Sequence, residues 1–86
     1  MANHKSAAKR NRQRIVRTAR NRAIRTRLRN ALKAARVAIE SGDKSAAEQP
    51  VKAASALLAR AVTQGVMHRN TASRTISRVQ TAYAKL

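Results

Sequence analysis

Residues 22–39 read RAIRTRLRNALKAARVAI. Two series interleave in that stretch. Ile24, Leu28, Ala31, Ala35 and Ile39, with Leu32 beside them, are apolar; Arg22, Arg25, Arg29, Lys33 and Arg36 are cationic. Both advance in steps of three and four, the spacing that keeps side chains on one side of a helix. The stretch therefore predicts a helix with one face for protein packing and a neighbouring face for anions. No Gly or Pro interrupts residues 6 to 40, and Ala, Arg and Leu are strong helix formers, so the predicted first helix spans about 6–41.

Towards the N-terminus the pattern changes. Arg10, Arg14 and Arg17 take the angular positions that the apolar stripe would occupy, and Lys9, Arg12 and Arg20 fill other directions. A helix cationic all round cannot pack on its own chain. The reading is an overhanging N-terminal half of about 15 residues, roughly 20–25 Å at 1.5 Å per residue. Such a rod suits a groove with phosphates on both walls, or a junction between RNA helices.

Downstream of that helix the chain breaks twice, at Gly42 and at Gly65, its two glycines. Glycine commonly follows a helix C-terminus because it accepts positive φ at little cost. Asp43 is a good N-cap for a second helix over about 44–64, with Ser45 and Glu48 offering a competing capping box. That helix carries the stripe Ala47, Val51, Ala54, Leu58 and Ala61. Pro50 falls inside it and removes a backbone donor. Two outcomes are open: a kinked continuous helix, which is favoured, or a separate short turn with Pro50 near a true N1 position. A third helix, about 69–85, carries Ala72, Ile76, Val79, Tyr83 and Leu86. Asn70 is a cap for it, although His68 could start it earlier. Three stripes of similar length with short connections predict an all-α fold: a three-helix bundle of antiparallel neighbours, one domain over residues 1–86, with a long N-terminal helix overhanging it.

Composition narrows the function. Twenty Lys and Arg face three acids in 86 residues, a formal net charge of +17, and thirteen of the twenty cations lie in the first 40 residues. Self-repulsion on that scale opposes compaction, so a polyanion must offset it. Arg outnumbers Lys, and its planar fork suits phosphate oxygens. A row of arginines is ordinarily a solvated face. Solvated faces mix signs, however, and no acid precedes Glu40. The acids Glu40, Asp43 and Glu48 gather at the first break, which should face away from nucleic acid. The only aromatic residue, Tyr83, fits the core stripe, so recognition should rest on backbone and shape with little stacking on single-stranded bases.

Other chemistry finds no support. The chain has no cysteine, and His4 and His68 are far apart with no acid cluster nearby, so no metal site, cofactor or catalytic centre is expected. No apolar run approaches the roughly 20 residues of a spanning helix. The acid-free N-terminus has the composition of a mitochondrial transit peptide, yet its basic pattern runs on into the heptad-like segment with no cleavage-like boundary. A DNA-compacting or gene-regulatory protein is the main alternative, but helix-turn-helix recognition needs short, steeply crossed helices. A membrane-active helix would carry bulky apolar residues opposite its cations, and the N-terminal half has no such face.

The opening Met1-Ala2-Asn3-His4-Lys5-Ser6-Ala7-Ala8-Lys9-Arg10 resembles the start of the bacterial small-subunit ribosomal protein number twenty family. So do Ala38-Ile39-Glu40-Ser41-Gly42-Asp43-Lys44 and Gly65-Val66-Met67-His68-Arg69-Asn70-Thr71-Ala72-Ser73-Arg74. The pieces keep family order and spacing across the whole chain; the opening and the loop at the second break are the specific parts. The resemblance implies a three-helix bundle with a long first helix. It implies a cytoplasmic protein, present as a monomer within the ribosome. There it would bind 16S ribosomal RNA directly, bridging the 5′ domain and the penultimate 3′ stem and supporting assembly of the small subunit. Carried over by position, Lys5, Ser6, Lys9 and Arg10 would be contacts of the N-terminal extension. His68, Arg69, Asn70 and Arg74 would be contacts of the second loop and third helix. Arg12, Arg14, Arg17, Arg20, Arg22, Arg25, Arg29 and Arg78 complete the candidate RNA-binding set. Pro50, in the second helix, departs from the family pattern.

Overall fold

The computed structural model describes the backbone from Ala2 to Leu86 and side chains from His4 onward; Met1, the first residue of the family-like opening, lies outside the described residues. The described residues form three helices and no strand: α1 (Ala2–Glu40), α2 (Lys44–Thr63) and α3 (Arg69–Ala84). α1 begins four residues before the expected start, since nothing between Ala2 and Lys5 breaks a helix.

Each break is built from local chemistry. Gly42 adopts φ 78°, and its N–H donates to the Ile39 carbonyl at 3.1 Å. The Ser41 hydroxyl donates to the Ala38 carbonyl and accepts the Asp43 N–H at 3.4 Å. One side chain thereby relays the outer bond of the turn. Asp43 then caps α2, its carboxylate accepting the N–H groups of Ser45 at 3.0 Å and Ala46 at 3.4 Å. Gly65, at φ 75°, ends α2 with a full Schellman pair: Gly65 N–H to Val62 C=O at 3.1 Å and Val66 N–H to Ala61 C=O at 3.0 Å.

The cap of α3 is His68, not Asn70. Its backbone is extended (φ −71°, ψ 142°) and its ring Nδ1 accepts the Asn70 N–H at 3.1 Å. Asn70 is already inside the helix, where its N–H is one of the donors that a cap must satisfy. Pro50 does not divide α2, which is continuous through it. The N–H that Pro50 lacks would have met the carbonyl of Ala46, an exposed residue whose carbonyl can turn to water instead.

The core is small. Its buried residues are Leu28, Ala35, Ala47, Val51, Ala54, Leu58, Ala61, Ala72 and Val79, five of them alanine, so helices approach closely but little apolar area is removed from water. Leu28, Leu58, Ala61 and Ala72 form one cluster; Ala35, Val51, Ala54 and Val79 form a second. As α1 advances from 28 to 35, α2 retreats from 58 to 51 and α3 advances from 72 to 79. The chain neighbours are therefore antiparallel, and α2 is the element on which both others pack. All five predicted stripe residues of α2 are buried. In α3, Ala72 and Val79 are buried and Ile76 and Tyr83 half-buried, but Leu86 lies beyond the helix end and is exposed.

α1 outruns this bundle. Every described side chain from His4 to Arg20 is exposed, and Asn21 is the first that is not. The molecule measures 63 × 20 × 13 Å, a rod with the bundle at one end.

Candidate nucleic-acid interface

Lys5, Ser6, Lys9, Arg10, Arg12, Arg14, Arg17 and Arg20 are all exposed on the overhang. Within it the Arg14 guanidinium donates to Asn11 Oδ1 at 3.0 Å, which steadies one arginine against its own helix. Arg10 and Arg14 flank a shallow depression with Ala7 and Asn11. Among the described residues the one ion pair is Glu48–Lys52, at 2.9 Å, on the exposed surface of α2. Glu48 raises the Lys52 ammonium above its ordinary value, first through their hydrogen bond and then by charge. No described candidate arginine is neutralised by a carboxylate of its own chain, so their positive field is available to an external anion.

Where α1 enters the bundle, the helices gather cations from different parts of the sequence. Arg25, Arg29, Lys33 and Arg36 overhang a cleft of about 470 Å³ floored by Leu28, Leu32 and Met67. Arg36 also faces a second cleft, between α1 and α3, lined by Arg78, Thr75, Ile39, Val79 and Glu40. Arg78 is thus the α3 continuation of the α1 row. Arg22 extends the row the other way, beside Arg14, Ile15, Thr18 and Ala19.

Three arginines were absent from the sequence-derived set: Arg36, a member of the cationic row, and two that the row does not include. Arg27 of α1 and Arg60 of α2 meet across a cleft with Ile24, Leu28, Leu57 and Gln64. Their proximity follows from the register that sets Leu28 against Leu58 and Ala61; neither neighbourhood alone announces it.

His68, Arg69, Asn70 and Arg74 are exposed at the start of α3. Because His68 uses Nδ1 as the cap acceptor, its neutral ring keeps Nε2–H as the outward donor. This group lies beside the Leu28 level of α1, through the contact of Met67 and Ala72 with that cluster. Arg10 lies eighteen residues earlier on the same helix, about 27 Å away along its axis. The predicted residues therefore form one cationic run along α1, through Arg12, Arg14, Arg17, Arg20, Arg22 and Arg25, joined at the bundle end by the second loop and α3. Tyr83 is not among them: it packs on the Ala35–Val79 cluster, and the Lys44 ammonium sits 5.3 Å from its ring centre. No described helix is long and apolar enough to cross a membrane.

The family model described as Ribosomal protein S20 matches residues 2–84. A protein named small ribosomal subunit protein bS20 from Solidesulfovibrio magneticus is 51% identical over 85 residues, covering 99% of this chain and 96% of its own. The protein of that name from Nitratidesulfovibrio vulgaris is 50% identical over 82 residues, 95% of this chain and 94% of its own. That from Campylobacter fetus is 54% identical over 79 residues, covering 92% and 90%. With a match over nearly its full length, the chain belongs to the ribosomal protein S20 family and is a structural, non-catalytic constituent of the small ribosomal subunit.

Proposed function

We propose that this chain enters the small subunit by binding 16S ribosomal RNA directly, with its phosphate contacts carried by α1 and by the His68–Arg78 surface. The observation behind this is the overhang: a fully exposed stretch from His4 to Arg20 with seven Lys and Arg and no acid. A segment with no packing partner in its own chain and no counter-charge is completed by a polyanion. Arginines bring bidentate phosphate recognition; the shortage of aromatic surface leaves shape and backbone as the basis of readout.

The length of this cationic run, with the overhang at one end and the bundle at the other, fits a bridging role. The overhang engages one RNA element and the bundle's α1–α3 side another. The 5′ domain and the penultimate 3′ stem are the elements that the family resemblance assigns. A single copy joining them would favour the assembled arrangement of the subunit over the separated one, which is how a protein without catalytic groups supports assembly. Asp43 and Glu48 face solvent in this arrangement, while Glu40 borders the α1–α3 cleft beside Arg36 and Arg78.

Titration of 16S ribosomal RNA with the full chain across a salt series tests the reading. Neutralising six or more phosphates gives a log–log slope of about −5 or steeper, at roughly −0.9 per contact on duplex DNA and a comparable value on RNA. An affinity indifferent to salt would refute it. Duplex DNA as competitor is the control against a general DNA-compacting role and should displace the RNA poorly.

A further inference from the structure

An amphipathic helix on a bundle normally carries its charge on the face opposite the core. α1 does so only in part. On its outer side, away from Leu28 and Ala35, the uncharged residues Ile15, Ala19, Ala23, Thr26, Asn30, Ala34 and Val37 follow one another in steps of three and four, with Val16 beside them. All are exposed, Ile15 at 59%, Val16 at 67% and Val37 at 58%. At about 100° per residue they define an uncharged sector about 120° wide over some 33 Å of helix, bounded by Lys33 at one edge and Arg27 at the other. The cations stand on its two shoulders. Arg22, Arg25, Arg29, Lys33 and Arg36 form one, extended by Arg78 of α3. Arg20 and Arg27 form the other, extended by Arg60 of α2.

In a chain of net charge +17, a neutral line on the most accessible face of the most cationic helix calls for an occupant that rejects charge at its centre and demands it at both edges. Resting on the RNA-binding reading above, we propose that this face of α1 lies lengthwise in the minor groove of double-stranded RNA. The A-form minor groove is wide and shallow and presents ribose 2′-hydroxyls and base edges, with a phosphate strand on either side. Short, uncharged residues at Ala19, Ala23 and Ala34 let the helix approach the riboses. The Thr26 hydroxyl donates to its own Arg22 carbonyl at 2.9 Å, so its lone pairs face outward as acceptors for a 2′-hydroxyl. Asn30 offers both a donor and an acceptor. The shoulders then reach the two strands. The A-form major groove is too narrow and deep to read, and the B-form DNA minor groove, about 6 Å wide, excludes a helix about 10 Å across.

The test uses the full chain and 16S ribosomal RNA at constant salt. Ala19→Leu, Ala23→Leu and Ala34→Leu together keep every charge and retain good helix formers, but fill the line with bulk. A control carries Ala53→Leu, Ala56→Leu and Ala59→Leu, all exposed on α2. The first variant should lose about tenfold or more in affinity, one decade being 1.4 kcal/mol, while the control binds like the parent and circular dichroism shows equal helicity in all three. Equal affinity in parent and first variant, or equal loss in both variants, overturns the proposal and leaves phosphate binding intact. A salt-independent parent removes both readings. In a second arm, Ala34→Cys supplies a unique thiol for a tethered hydroxyl-radical source. Cuts on both strands of one paired RNA segment support the minor groove; cuts confined to unpaired RNA refute it.

Discussion

The two halves of α1 have similar charge and opposite fates. Residues 4–20 hold seven Lys and Arg, and residues 21–40 hold six. In the second half the stripe positions are Ile24, Leu28, Ala31, Ala35 and Ile39, and the helix packs. In the first half the corresponding positions are Arg10, Arg14 and Arg17, and every described side chain is exposed. What differs is which angle the cations occupy. A cation beside an apolar stripe leaves burial possible; a cation in the stripe forbids it, because an unpaired charge is too costly to bury. A single helix can in this way be half protein core and half RNA ligand.

The sharpest way to break the comparison is amide exchange on the free chain. Amides of Leu28 to Ala35 should open only with the whole bundle. Those of residues 4–20 have no tertiary support and crowd like charges along one helix, so they should exchange with opening free energies near zero. Addition of 16S ribosomal RNA should protect the first half and leave the second nearly unchanged. Protection of residues 4–20 without RNA would erase the distinction.

Substitutions sharpen it further. Among the described residues Leu58 is the one large side chain that is fully buried. Leu58→Ala should cost about 2–5 kcal/mol in thermal or denaturant unfolding, enough to unfold much of a bundle whose core is otherwise mostly alanine and valine. Arg10→Gln, Arg14→Gln and Arg17→Gln together should leave the unfolding midpoint of the bundle unchanged. They should reduce RNA affinity about a hundredfold in dilute salt and flatten the salt slope by about 2–3. If the triple variant instead altered the melting of the bundle, the overhang would be part of the fold.

Much of this is legible in the sequence, and the reasons are physical. Periodicity alone located the α2 stripe, and all five of its residues are buried, because α2 packs on both neighbours and its pattern has one solution. The breaks were legible because glycine and aspartate have few competing roles at helix ends. Tertiary register was not legible. Arg36 meets Arg78, and Arg27 meets Arg60, only once Leu28 is set against Leu58 and Ala72. The neutral outer line of α1 was hidden for the same reason: it becomes the outer face only when the inner one has been fixed. Leu86 extends the α3 stripe numerically, but the helix ends at Ala84 and the pattern outlives the structure that gives it meaning.

The cap of α3 offers the smallest effect and the finest discrimination. Asn70 is the better cap by propensity, yet His68 performs the task because its Nδ1 stands where an Asx oxygen would. His68→Ala should cost about 1 kcal/mol of bundle stability, the usual value of a lost cap. The same change also removes Nε2–H, a candidate contact to phosphate or ribose, so stability alone cannot separate the two roles. His68→Asn does. The amide oxygen restores the bond to the Asn70 N–H and should return the unfolding midpoint to that of the parent. A shortfall in RNA affinity that persists in His68→Asn would belong to the imidazole's outward donor. Full recovery of both would make His68 a helix cap alone, leaving Arg69 and Arg74 to carry the RNA contact of the second loop.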